Sequence, residues 1–497
     1  MAIANIAING SIIDQEIKYL EARITPKASL GALKESIKYY EKNISDYRFY
    51  DYRENIHRYL EGNRISSNED KKHFYTLHFI KNKDREENLQ GDISMFNPRN
   101  KIVREIYKRE ARAINNLRKS SSKYGELVYG IDAANVEVGC RPEVFGQVYR
   151  YLKNYTYENP LNNFIDSENI KNNFKVLGRT YHVGEEFLDI VDGLRAIDEV
   201  IKFLDFTHGD RLGHGLALGI SSKDYYRSKN GIIVLSKQDF IDNIIWLFNK
   251  IKEYNITLSS RLKEELRNCY KKYSREIYNE IYDERDYYES WLLRGDAPEL
   301  YLDELYLENK DGIHNYSFMD KSGINDREEC NEARKNTIAK KIYRNYHYSK
   351  RVKERGAKSI EYKISEEYIE VVNRLQKALQ GEVRDRNIYI ETNPTSNYLI
   401  GTFKRYGDHP ILQFYNLPLG KDIDTCCQIS VSINTDDQGI FGTLIENEYS
   451  LMALALEKEK DRDGNPLYNQ NMIYEWLDKI REMGIEQSFK ERIDKGI

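Results

Sequence analysis

The chain carries only five cysteines in 497 residues. Two of them, Cys426 and Cys427, are adjacent, and none stands at a metal-ligand spacing. This excludes a disulfide scaffold and a thiolate zinc ribbon, and it suits reduced thiols in a cytoplasmic protein. No run approaches 18 consecutive apolar residues, and the N-terminal MAIANIAINGSIIDQE has neither a basic start nor an apolar stretch long enough for export. Neither a membrane span nor a leader is expected. Positive charge is not in excess: 76 Lys and Arg face 80 Asp and Glu, for a net charge of −4. General nucleic-acid binding needs a basic face that releases counterions, so it is disfavoured, although a local pocket for one phosphate chain is still open. Tryptophan and proline are scarce, at three and nine, against forty tyrosines. That bias fits an AT-rich coding sequence, or tyrosines spent on subunit contacts.

Apolar residues at 40% and charged residues at 31% describe a globular chain with a sizeable core under a charged surface. Seven β-rich runs alternate with helical patterns, the signature of βα units around a parallel sheet. They are Tyr19 to Ile24, Phe74 to Ile80, Leu127 to Asp132, Lys175 to His182, Arg211 to Leu216, Ile388 to Thr392 and Gln428 to Asn434. Helical spacing follows, as in Gly193 to Leu204, where Leu194, Ile197, Ile201 and Leu204 share a face. The pattern predicts an α/β fold, a TIM-like (β/α) barrel, with a large and mostly helical insertion between the fifth and sixth recognisable strands. The expected division is residues 1–220 for the first part of the barrel, with a helical insertion about 31–68, then an inserted helical subdomain at 221–380, and 381–497 for the last strands and C-terminal helices. Long helices are expected near Ser259 to Leu293 and near Asn331 to Arg355. Removing 221–380 is expected to disturb assembly more than the barrel.

Chemistry-bearing residues gather at predicted strand ends, where barrel enzymes keep their catalytic groups. His182 ends the fourth run, Gly184 permits a sharp turn after it, and Glu185 sets a carboxylic acid beside a candidate metal ligand. Arg211 to Gly215 again places a histidine, His214, at a strand end between two glycines that allow close approach. His208 lies before that strand and would face the opposite rim as a structural residue. Asn393-Pro394-Thr395-Ser396-Asn397 follows the sixth run, with His409-Pro410 after a short spacer. The last run ends in Asn434-Thr435-Asp436-Asp437, whose successive acids project in different directions, so that one can bind a metal while the other meets a substrate.

In this order the motifs resemble the adenosine deaminase family, and Tyr19 to Pro26 and Gly130 to Ala134 with Glu137 extend the likeness to most of the chain. The resemblance implies a zinc ion held by His182 and Asp436, with Glu185 as proton donor to the purine N1. It makes His214 the residue that orients the zinc-activated water and accepts its proton, and it places Asp437 on the purine N7 and the Gly184 N–H on N3. Where the family usually has Cys, Asn393 precedes the proline, so the pocket wall differs. Asn135 stands where a glycine would take positive φ more easily. Within the family, Gly193 to Glu199 and the long insertion look most like the deaminase subunit of the RADAR phage-defence system. That likeness implies deamination of adenosine or of ATP to the inosine form (ITP) in antiviral defence, assembly as a homo-oligomer, and an AAA+ ATPase partner.

The family opens with a His-x-His pair on a first strand, whereas the first histidine here is His57, standing alone. His73 and His78 cannot replace the pair, because a separation of five residues sets them on opposite faces and about 17 Å apart at strand rise. Two protein ligands fall short of the three plus water of a catalytic zinc site. Three explanations stand: a second chain or an upstream segment supplies the pair, the gene is truncated and inactive, or the chain is a metal-free shell component. The alternative function is thus that of a catalytically incomplete assembly protein.

Overall fold

A computed structural model describes residues 17–47, 72–83, 97–120, 123–154, 176–301, 327–420 and 426–495. His57, the second half of the expected insertion at 31–68, and the start of the expected fourth strand lie outside the described residues. Seven strands form one sheet: β1 (Leu20–Ile24), β2 (His73–Ile80), β3 (Val128–Ala134), β4 (Gly178–Val183), β5 (Arg211–His214), and two further strands after a long excursion. That excursion contains an antiparallel pair, β6 (Ile232–Ser236) and β7 (Ser359–Lys363), before β8 (Tyr389–Thr392) and β9 (Val431–Ile433) complete the sheet. The order is β1-β2-β3-β4-β5-β8-β9 with every neighbour parallel, so the seven expected runs are the seven strands of a TIM-like sheet.

The sheet curls strongly, and its inward side chains show why. Glu21 and Arg23 are two residues apart and therefore share a face. Glu21 receives Arg211 of β5 at 2.7 Å, and Arg23 reaches Asp132 of β3 at 3.0 Å and Glu391 of β8 at 2.5 Å. A flat sheet would hold strands that far apart in its order well out of contact, since neighbours are spaced by nearly 5 Å. Among the described residues β1 and β9 are the two edges of the sheet.

The floor of the barrel, at the N-terminal ends of the strands, is closed from the far end of the chain. Helix Phe489–Lys495 packs against β3. The ring of Phe489 fills the space in which Gly130 and Gly178 would otherwise carry a Cβ, about 2.0–2.5 Å from its atoms. The Arg211 guanidinium stacks 3.6 Å from the same ring and donates to the Gln487 carbonyl. His208 is exposed near this rim, away from the other motif histidines.

The residues between β5 and β8 differ from the expectation in detail. The Ser259 to Leu293 stretch is two helices, Ser260–Tyr278 and Glu284–Leu293, because Asn279 turns left-handed at φ 59° and ends the first. Asn331 to Arg355 falls into three, because Asn336 and Ser349 take extended backbone and their side chains cap the helices that follow. One contiguous core cluster runs from the barrel strands through Phe240, Trp246, Val372 and Leu379. Among the described tyrosines, Tyr75, Tyr149, Tyr181, Tyr226 and Tyr270 are buried in the chain itself. Subunit contacts are not needed to account for them.

Candidate active site

At the C-terminal ends of the strands the backbone itself is unusual. Gly184 has φ 69°, His214 φ 65° and Asp436 φ 56°. For His214 and Asp436 the left-handed region costs about 1–3 kcal/mol each, and such conformations persist where the surroundings over-determine them. Each marks the point where a strand breaks into its loop and turns a side chain over the barrel mouth. Gly213 is needed for a different reason: a Cβ there would lie 3.0 Å from His182 Cα and 3.1 Å from its Nδ1. β5 therefore lies directly against the His182 ring.

The structure brings His182, His214 and Asp436 together, with one ligand atom from each inside a 4.8 Å span. The two imidazole rings stand 4.8 Å apart, and His214 Nε2 is 3.9 Å from Asp436 Oδ2. Ser396 donates to that same Asp436 oxygen at 2.7 Å, which gives the Pro394 loop a positioning task. His182 Nδ1 lies 3.1 Å from Asp132 Oδ1, so the ring donates there and leaves Nε2 for a metal. Asp132 is the residue that sequence reasoning missed. Its only signal was a buried-strand Asp in Gly130 to Ala134, with no role attached. Burial opposes its charge, but His182 and Arg23 hold its carboxyl well below the usual range. His78, assigned no role from sequence beyond its inability to share a metal with His73, turns its Nδ1 to Asp132 Oδ2 at 3.2 Å and lies 6.1 Å ring to ring from His182. His73 is at the other end of β2, bonded to Glu41, so the two histidines are indeed apart.

Glu185 sits beside this cluster, with Oε1 3.2 Å from His214 Nδ1. Burial pushes its carboxyl up to about 8 against the pull of His182, with Glu137 and Asp436 adding to the rise. At neutral pH it is therefore largely a carboxylic acid, the form a proton donor needs. Burial and the neighbouring His182 push His214 down, which keeps it neutral. Asp436 is lowered: burial opposes, but His214, the Ser396 hydroxyl and His182 prevail.

Two expected substrate contacts look different in space. The Gly184 N–H is already taken, because Glu137 Oε2 accepts it at 2.9 Å while Oε1 accepts the Glu185 N–H at 3.0 Å. A ring nitrogen would have to displace that carboxylate, so Gly184 is better described as part of the loop that presents Glu185. Asp437 is exposed at the mouth, where its Oδ1 accepts the Ile440 N–H at 3.2 Å. Asn135 does adopt the left-handed conformation, at φ 86°. Asn393 points into the site, with Nδ2 3.2 Å from His214 Nδ1.

The donor chemistry fits a zinc ion in part. His182, His214 and Asp436 are the candidate donors, a borderline-soft set that zinc accepts; burial opposes a charged His182 but the Asp132 carboxylate raises its pKa, so a metal at Nε2 would take the place of a proton. A curled parallel sheet of seven strands, with a His, His and Asp cluster at its C-terminal rim, has the fold of a TIM-like α/β barrel. More particularly, residues 356–485 match the Adenosine deaminase family. Over 109 residues the chain is 29% identical to the adenosine deaminases of Plasmodium vivax and Plasmodium cynomolgi, covering 22% of this chain and 23% of each relative. It is 32% identical over 73 residues to the adenosine deaminase of Bos taurus, covering 15% of this chain and 17% of that protein. The matches thus span less than a quarter of the length of these relatives. No helix among the described residues is long and apolar enough to cross a membrane.

Proposed function

We propose that this chain is a deaminase that hydrolyses the exocyclic amine of adenine carried on a nucleoside or nucleotide. The observation that carries the reading is the half-buried Glu185 acid placed beside His182, His214 and Asp436 at the mouth of the sheet. His182 through Nε2 and Asp436 through its carboxylate would hold zinc. When bound, zinc lowers the pKa of a coordinated water toward neutrality. Glu185 carries the proton for the purine N1, His214 faces the attacking oxygen, and Asp437 at the rim is the candidate partner for N7. The similarity of residues 356–485 to adenosine deaminases supports adenosine as the first substrate to try. Ammonia release from adenosine and from ATP by the zinc-supplemented chain tests the reading, and Glu185→Gln should lower the rate about 10²–10⁴-fold with metal content unchanged. No release from either substrate by a zinc-loaded protein would sink it.

A second reading is favoured by the open edges of the sheet, β1 and β9 among the described residues, taken with the expected ligand pair His182 and Asp436, which is fewer than a catalytic zinc needs. In that reading the chain is one component of an assembly and gains its remaining ligands from another polypeptide. The likeness to the RADAR deaminase subunit extends the proposal to ATP as substrate, a homo-oligomeric shell, an AAA+ ATPase partner and antiviral defence in the cytoplasm. Sizing of the purified chain with and without such a partner separates this from a self-sufficient enzyme.

A further inference from the structure

The histidine of the His409-Pro410 motif is buried and lies on no strand, yet it connects to the site through one side chain. His409 Nδ1 accepts the Ile411 N–H at 3.1 Å, so the neutral ring must carry its proton on Nε2. That nitrogen lies 3.1 Å from Asn397 Oδ1 and donates to it. The orientation of the Asn397 amide is not a free choice. Its Oδ1 also receives the backbone N–H of Asn393 at 3.1 Å, and an N–H can only donate, so the oxygen must face that side. The Nδ2 group then faces His214 Nδ1 at 2.7 Å, and an amide nitrogen has only hydrogens to give. All three side chains are at most 1% exposed, so these positions are shielded from bulk solvent.

We propose that His409 and Asn397 form a relay that fixes the single proton of neutral His214 on Nε2. The consequence separates the two site histidines. His182 donates through Nδ1 to Asp132 and offers a bare Nε2 to a metal. His214 accepts at Nδ1, so a metal on its Nε2 would require an imidazolate. His214 is therefore not a ligand, although it lies within ligand distance of the other two. With Nε2 already protonated, His214 is a hydrogen-bond donor there and not the proton acceptor expected from sequence; Nε2 lies 3.9 Å from Asp436 Oδ2 and 3.4 Å from the Asn393 amide, which must turn its oxygen to that side. The arrangement also accounts for Glu185 Oε1, which sits 3.2 Å from His214 Nδ1 and is buried with no hydrogen-bond partner. Two lone pairs at that separation repel, whereas a protonated carboxyl does not. Asn397 and His409 are positioning residues, acting through His214.

The assignment deepens the deaminase reading, on which the role of His214 rests, but its test does not need activity. In the full chain labelled with ¹⁵N-histidine, long-range ¹H–¹⁵N spectra distinguish the two neutral tautomers, and His214→Gln and His409→Gln identify the resonances by their loss. The expected result is an Nε2–H tautomer for both His214 and His409 in the unsubstituted protein, and transfer of the His214 proton to Nδ1 in Asn397→Asp, whose carboxylate accepts on that side. An Nδ1–H signal for His214 in the unsubstituted protein overturns the relay, as does an Asn397→Asp spectrum that retains Nε2–H. Nε2–H in a protein that releases no ammonia from adenosine would uphold the relay and remove the deaminase reading alone.

Discussion

At the scale of single residues the site is a problem of who holds which proton. His182 and His214 are the same residue type at neighbouring strand ends, yet their Nδ1 atoms face a carboxylate in one case and an amide donor in the other. Metal analysis of purified variants should register that difference: His182→Ala and Asp436→Asn lower zinc content severalfold, and His214→Ala leaves it unchanged. Equal loss in all three would make His214 a ligand. Glu185 sets the pH behaviour. Its folded value near 8 lies above that of an exposed Glu, so under the proposed reaction the proton-donating form is present below about 8 and kcat/KM should fall as pH rises through that point. The same shift means that the folded state binds the proton more tightly, so stability contributed by neutral Glu185 is lost as pH rises toward 8. Glu185→Gln removes that dependence, and thermal melts at pH 9 should show the inactive variant to be the more stable protein. His182, Glu185, His214 and Asp436 could be singled out in the sequence because each lies at or near the end of a strand run beside a turn, in the motif order of the family they resemble. Asp132 and Asn397 could not, since their roles depend on side chains 50 and 183 residues away in the chain.

Secondary-structure elements tell a similar story. The seven strands could be read because parallel strands are buried on both faces and form short apolar runs between helical periods. The β6–β7 pair could not, because its partners are separated by more than a hundred residues and Val234 and Ile232 are exposed. Broken helices were missed for a local reason: Asn336 and Ser349 interrupt a pattern that remains periodic on either side. The residues between β5 and β8 also do more than decorate the barrel. Helix Glu366–Asp385 sends buried Gln376 to the Ala217 and Ile220 carbonyls, at 2.8 and 3.0 Å, and Gln380 to the Leu218 carbonyl at 2.6 Å. These carbonyls belong to the turn directly after His214. Deleting 221–380 is thus expected to cost the folded barrel and not merely its assembly, which reverses the expectation from sequence. Circular dichroism and a cooperative melt of the deletion variant check it, and a retained sharp transition would contradict the packing argument.

Taken as a whole, the molecule is held in its curl by charges that cross the interior. Arg23 bridges Asp132 and Glu391, and Arg211 bridges Glu391 and Glu21. Burial opposes the Glu391 charge, but Arg211 and Arg23 hold its carboxyl down at about 2. Arg23→Met would leave Asp132 and Glu391 facing each other with one cation fewer. Because Arg23 is itself exposed and Asp132 and Glu391 keep His182 and Arg211 as partners, the cost is below that of a wholly buried pair, and chemical denaturation should show a loss of about 1–3 kcal/mol. An unchanged midpoint would mean that water or a rearranged Arg211 compensates. The same lattice ties the strand that begins the sheet to the strand that carries the Pro394 loop, so local events at the mouth and global stability are read by one set of side chains. At the opposite rim, Tyr19 donates to Glu491 across 472 positions of chain, and Phe489 occupies the hollow left by Gly130 and Gly178. Synthesis runs in one direction, and the stopper is made after every strand it seals. During synthesis the strands therefore emerge before the helix that packs beneath them, and the hollow at Gly130 and Gly178 is filled only once Phe489 has been made.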